Sequence, residues 1–172
     1  MSTIICSDRF NLGNGAEFSK CEKYRYALWR LNVEDTGKNR CVFIMLNPST
    51  ADHKTDDPSV AKCRKYAELW GYKNVYVVNL FAWRATDPEA MKKVLEPIGK
   101  ENDRLILETC RDAGRVVAAW SNHATHFNRS DQVRRLLRDA GIKVHALKVN
   151  VTGEPAHPLY LSLSLKPKVF EL

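Results

Sequence analysis

Short apolar runs alternate along this chain with segments of helical periodicity. Tyr24-Arg25-Tyr26-Ala27-Leu28-Trp29-Arg30-Leu31 alternates loosely and predicts a strand, and Asp35-Thr36-Gly37-Lys38-Asn39 a turn. Cys41-Val42-Phe43-Ile44-Met45-Leu46 is continuously apolar, the pattern of a strand buried on both faces. These two strands are expected to form an antiparallel hairpin at one edge. Asp57-Pro58 reads as a helix N-cap followed by proline at the first helical position. Val60, Cys63, Ala67 and Trp70 then recur at helical spacing, and Gly71 is a stop. Val75 to Leu80 is a further buried strand. A second start signal stands at Asp87-Pro88, and helical pattern continues through Ala90 to Val94 and from Glu101 to Ala113. Val116 to Trp120 is the next buried strand. Val133, Leu136, Leu137 and Ala140 mark an amphipathic helix ending at Gly141, and Ile142 to Leu147 a last strand. Residues 1–22 mix Gly, Asn, Ser and charge and predict an irregular segment; the tail from Val149 reads as loop.

Strands and helices therefore alternate four times. The pattern predicts a single α/β domain over residues 1–172: a three-layer α/β/α sandwich with a mainly parallel four-stranded sheet plus an antiparallel edge strand. In such sheets ligands bind beyond the carboxyl ends of the strands. Three polar motifs fall at such ends: Asn47-Pro48-Ser49-Thr50-Ala51-Asp52, Asn79-Leu80-Phe81, and His157-Pro158 after the last strand. The expectation is that separate loops converge on one crevice.

Composition narrows the classes. Of 172 residues 44% are hydrophobic, enough for a continuous core, and no apolar run nears the roughly 20 residues that span a bilayer. Met1 to Lys20 carries no signal-type apolar stretch, so the expected location is cytoplasmic. The five cysteines are odd in number and form no C-x-x-C pair, against a disulfide framework or a thiolate metal site; Cys41, Cys63 and Cys110 read as small core residues. The net charge of +7 suits a polyanionic partner and equally an ordinary lysine-bearing surface.

The motifs have plain readings and chemical ones. Asn47 to Asp52 offers an amide, two hydroxyls and a carboxylate ahead of a helix N-terminus, which favours anions; alone it is also an Asx/Ser-Thr turn. Asn79 can read a base edge in two directions or simply cap its strand. His157, in a proline-fixed loop, suits an electrophile, acid or base, although a lone loop histidine is more often a surface residue. Asp52, His53, Asp56 and Asp57 fit no metal loop; helix capping is preferred for Asp57 and ligand contact for Asp52. His123 and His126 lack a third ligand, and Asp103 is explained by a helix dipole. No metal or other cofactor is expected.

Together, Leu46-Asn47-Pro48-Ser49-Thr50-Ala51-Asp52, Asp56-Asp57-Pro58, Val78-Asn79-Leu80-Phe81-Ala82 and His157-Pro158-Leu159-Tyr160 resemble the domain-of-unknown-function family 1643 over about residues 24 to 165. More distantly, Asn47-Pro48, Val77-Val78-Asn79 with Arg84-Ala85, and His157, Pro158, Leu161 and Ser162 resemble motifs of the uracil-DNA glycosylase superfamily. That resemblance implies a water-positioning Asn47, a base-reading Asn79 and a His157 that stabilises the departing base anion. It also implies a wedging Leu161 and a phosphate-contacting Ser162. The chain departs from the pattern at Asn47, where the fastest members carry a carboxylate. It departs again at Ser49, where a tyrosine would block a 5-methyl group, leaving room for a larger or modified pyrimidine.

The resulting expectation is a glycosylase-like hydrolase acting on a nucleobase in DNA or as a nucleotide. Asn47 and His157 are its catalytic candidates; Pro48, Ser49, Thr50, Asp52, Asn79, Phe81 and Arg84 are its ligand-binding candidates. The alternatives are a non-catalytic nucleic-acid or nucleotide binding module and an enzyme on a small phosphorylated metabolite. Arg129, Arg134, Arg135 and Arg138 could supply a phosphate-facing surface, although a solvated helix face is preferred for them.

Overall fold

The computed structural model describes residues 2–5 and 13–172. Among the described residues eight strands form one mixed sheet. In chain order they are β1 (Ser2–Ile5), β2 (Gly13–Ser19), β3 (Arg25–Leu31), β4 (Arg40–Met45), β5 (Asn74–Asn79), β6 (Arg115–Ala118), β7 (His145–Ala146) and β8 (Lys168–Val169). The helices are α1 (Pro58–Leu69), α2 (Pro88–Lys92), α3 (Asn102–Cys110) and α4 (Arg129–Asp139). Across the sheet the order is β1-β2-β3-β5-β4-β6-β7-β8. The middle strands β5, β4, β6 and β7 run parallel, with antiparallel strands on both flanks.

The α1 and α2 starts follow the sequence signals. The Asp57 carboxylate accepts the Val60 N–H at 2.8 Å ahead of Pro58, and Asp87 accepts the Glu89 N–H ahead of Pro88. Every residue of β4 is buried, and alternation splits it between two cores. Cys41, Phe43 and Met45 pack with Val60, Cys63, Tyr66 and Ala67 of α1; Val42 and Ile44 pack with Ile106 of α3 and Val133 and Leu137 of α4. Helices thus cover both faces of the sheet. Cys41, Cys63 and Cys110 are buried as predicted, and desolvation raises all three thiols, Cys110 to about 12.

Several sequence expectations are corrected. The strand at Arg25–Leu31 does not pair with the strand at Arg40–Met45; β5 lies between them, and β3 runs antiparallel to β5. The predicted irregular segment 1–22 contains β1 and β2, so the antiparallel flank has three strands rather than one; residues 1 and 6–12 lie outside the described residues. The strand expected over Ile142 to Leu147 shrinks to His145–Ala146, and the loop-like tail supplies β8 against it.

β2 is unlike a strand in composition because its pairing demands it. A Cβ at Gly15 would lie 2.3 Å from the Trp29 indole, so a glycine lets β2 cross that ring.

Candidate functional site

Two loops leave the same end of the sheet and are tied to each other by backbone bonds. Leu80 N and Phe81 N donate to the carbonyls of Met45 and Leu46, and Ala85 N donates to that of Pro48. The segments after β4 and β5 are thereby zipped together. β3, being antiparallel, begins at this same end. Its two arginines reach across to the loop preceding α1: Arg25 donates to the Ala51 carbonyl, while Arg30 bonds the Asp56 carboxylate at 2.8 Å and the Asp52 carbonyl at 2.7 Å. A long polar loop is held rigid by two buried guanidinium groups.

On the α1 side of this junction lies a cavity of about 180 Å³. Asn47, Ser49, Asn79 and His157 all line it, so one residue or more from each of the three sequence motifs meets there. Arg25, Asp57, Ser59 and Thr86 complete its polar walls. The other ligand-binding candidates stand outside the lining. Pro48 is buried and uses its carbonyl in the loop zipper, and Thr50 is exposed. Asp52 closes a turn instead of facing a ligand: its carboxylate accepts the N–H groups of Lys54 and Thr55, which lowers its pKa. Phe81 is fully buried beside His126, and Arg84 lies over the Phe18 ring. Leu161 packs partly buried on the α1-side core, and the Ser162 hydroxyl bonds that of Ser164.

Asn79 is 1% exposed, yet neither its amide nitrogen nor its amide oxygen has a hydrogen-bond partner. Leaving such a group unpaired costs about 1–3 kcal/mol. The position is enforced from below. Asn102 of α3 donates to the carbonyls of Asn79 and Leu80, both at 2.9 Å, and Arg129 of α4 donates to the Leu80 carbonyl at 2.8 Å. The strand end is clamped, and its side chain is left facing the cavity with its bonds unmade.

His157 opens a short 3-10 turn, Pro158–Tyr160, and its Nδ1 accepts the Leu159 N–H at 3.2 Å. In the neutral ring the proton then resides on Nε2, which makes that atom a donor. Burial lowers the His157 pKa, with Asp57 opposing the shift, so the neutral form dominates at pH 7. The turn is docked on α1 by Tyr66, whose hydroxyl donates to the Ser162 carbonyl at 2.9 Å. Asn47 donates its amide hydrogens to the carbonyls of Ala85 at 2.7 Å and Pro48 at 3.2 Å, which leaves its oxygen as the acceptor. Arg25 is 2% exposed and its Nε lacks a partner; desolvation pulls its pKa to about 10, so it stays charged at neutral pH.

Sequence reasoning missed Arg25. The available signal was a pair of arginines inside an otherwise apolar strand. Asp57 caps α1 as the sequence pattern predicts, and it also lines the cavity. A larger groove of about 690 Å³, walled by Tyr24, Tyr26, Leu95 and Phe127, differs in kind: no unpaired buried side-chain atom belongs to its lining. Among the described residues no cluster of three or more His, Cys, Asp or Glu is placed to hold a metal, and no helix is long and apolar enough to cross a membrane.

Comparison with known proteins gives one finding. No curated protein and no solved structure matches the chain. One family model, described as "Protein of unknown function (DUF1643)", matches residues 25–159, which take in β3 at one end and the His157 turn at the other. The chain belongs to that family.

Proposed function

We propose that the cavity receives a single nucleobase and that the protein hydrolyses the N-glycosidic bond of a modified or damaged base in DNA. The observation that carries this reading is Asn79: a buried amide with donor and acceptor both unmade, lining the same small cavity as a neutral histidine. An amide presents a donor and an acceptor side by side, which matches the edge of a heterocycle. The size agrees. A cavity of roughly 150 Å³ holds a benzene ring, so about 180 Å³ holds one substituted six-membered ring and leaves sugar and phosphate outside. That argues against a pocket for a whole phosphorylated metabolite, since such sites usually span roughly 300 Å³ or more.

The chemistry follows from the groups present. Breaking the bond puts negative charge on the base. A neutral imidazole donating from Nε2 stabilises that charge without releasing a full proton first. The Asn47 oxygen accepts a hydrogen from water and orients it, but an amide takes no proton from it. A base in a duplex must be flipped out, at a cost of a few kcal/mol. The exposed Ser162 and the net charge of +7 support contact with phosphate beyond the cavity mouth.

The test is turnover of duplexes carrying a single uracil or a 5-substituted uracil, read as abasic sites. Wild-type activity that drops by about 10² or more in His157→Ala is the expected result. No turnover on any of these duplexes sinks the hydrolase. A second reading, a non-catalytic module that recognises the same base, is favoured by the amide at Asn47; binding that depends on Asn79 without turnover would establish it.

A further inference from the structure

The chain lacks a carboxylate at Asn47, but a different carboxylate lines the cavity. We infer that Asp57, the N-cap of α1, is the catalytic carboxylate of this site. This assignment rests on the glycosidase reading above. Asp57 is the single acidic residue in the cavity lining among the described residues, which it shares with Asn47 and His157. Its placement is fixed from two directions. The Val60 N–H holds its Oδ1 at 2.8 Å, and Pro58 locks the backbone that follows. Its charge reaches the groups that matter: among the charges acting on buried Arg25 its effect is the largest, and it is the charge that acts on His157. A helix N-cap alone marks no ligand site; here the same cavity also holds the unpaired, buried Asn79 amide.

The step balances. The Asn47 oxygen orients a water, and the water oxygen bonds to C1′ of the sugar as the C1′–N bond breaks. The electron pair of that bond goes to the base, where the His157 Nε2–H meets it. The Asp57 carboxylate, whose negative charge favours the cationic character developing on the sugar, takes the proton of the water. The base leaves as an anion and is protonated by solvent. Arg25 has a supporting part: its buried guanidinium lies within reach of the Asp57 charge, and its Nε has no hydrogen-bond partner.

Asp57→Asn separates chemistry from folding, because asparagine caps helices as well as aspartate does. We expect Asp57→Asn to melt at the wild-type temperature and to bind a uracil duplex with wild-type affinity, while single-turnover cleavage falls about 10²-fold or more. In Asp57→Gly, whose cap is weakened only slightly, added formate is expected to restore part of the lost rate; a purely structural role would show no rescue. Wild-type turnover that survives in Asp57→Asn would overturn the assignment and leave the glycosidase reading standing. A wild-type protein inactive on every duplex would overturn both. A matched loss of binding and melting temperature in Asp57→Asn, without formate rescue in Asp57→Gly, would return Asp57 to capping alone.

Discussion

Asn79 carries a folding cost. Its side chain is buried without a single hydrogen bond, while its main-chain carbonyl is tied to Asn102. An apolar replacement of similar size removes the unpaired amide and keeps the clamp. Asn79→Leu is therefore expected to stabilise the protein by about 1–2 kcal/mol in urea unfolding and to abolish base binding; a destabilised variant would show that the amide is satisfied in some other way. His157 makes a pH prediction. Its folded pKa lies below the ordinary value of 6.5, so the unfolded chain binds the proton more readily. The stability from its neutral form is complete above about pH 6.5 and is lost as pH falls through the lower folded value. His145 is shifted the same way by burial, so the acid-side slope has two contributors. Unfolding curves between pH 8 and 5 should therefore flatten, but not become level, in His157→Gln.

Among the elements, the ends of β4 and β5 and the start of β3 form the site because each is anchored by a side chain from elsewhere. Asn102 is the clearest case: one amide nitrogen satisfies two carbonyls at the point where β5 stops. Its loss takes this donor from the Asn79 carbonyl and leaves the Leu80 carbonyl with Arg129 alone. Asn102→Ala is expected to cost about 2–3 kcal/mol and to weaken base binding beyond any loss explained by unfolding. A variant with reduced stability but unaltered affinity would mean that Asn79 keeps its aim without the clamp. The loop before α1 depends in a similar way on Arg25 and Arg30, which hold Ala51, Asp52 and Asp56 in place.

For the molecule as a whole, charge and surface are separate matters. Of the four arginines near α4, two work inside the fold. Arg129 is 1% exposed, bonded to the Leu80 carbonyl and paired with Asp103. Arg134 covers the rings of Trp120 and Phe170 and pairs with Glu154. Arg135 is exposed. Arg129→Met is expected to destabilise by about 1–2 kcal/mol, because the buried Leu80 carbonyl loses one of its two donors while the half-exposed Asp103 carboxylate is left to solvent. Arg135→Ala is expected to change stability by less than about 0.5 kcal/mol. Comparable melting temperatures for the two would refute the division. The basic face of α4 is thus reduced to a few exposed residues, and the cavity lies at the other motifs.

The features legible from the residues alone are local. Apolar runs and helical spacing located β3 to β6 and α1, α3 and α4; Asp57-Pro58, Asp87-Pro88 and Gly71 marked ends because capping and φ restrictions act within a few residues. The polar motifs at Asn47, Asn79 and His157 stood out because each interrupts or follows such a pattern. Pairing could not be read in this way. The segment Gly13 to Ser19 has poor strand composition and is a strand because β3 lies beside it and Gly15 clears the Trp29 indole. The order of β3, β5 and β4, the burial of Arg25, and the place of Asp57 in the cavity wall are likewise decided between residues far apart in the chain. Hydrogen-bond satisfaction is a property of the assembled fold. That Asn79 is unpaired, and that Asp57 and His157 line one small cavity, is decided only once the loops have met.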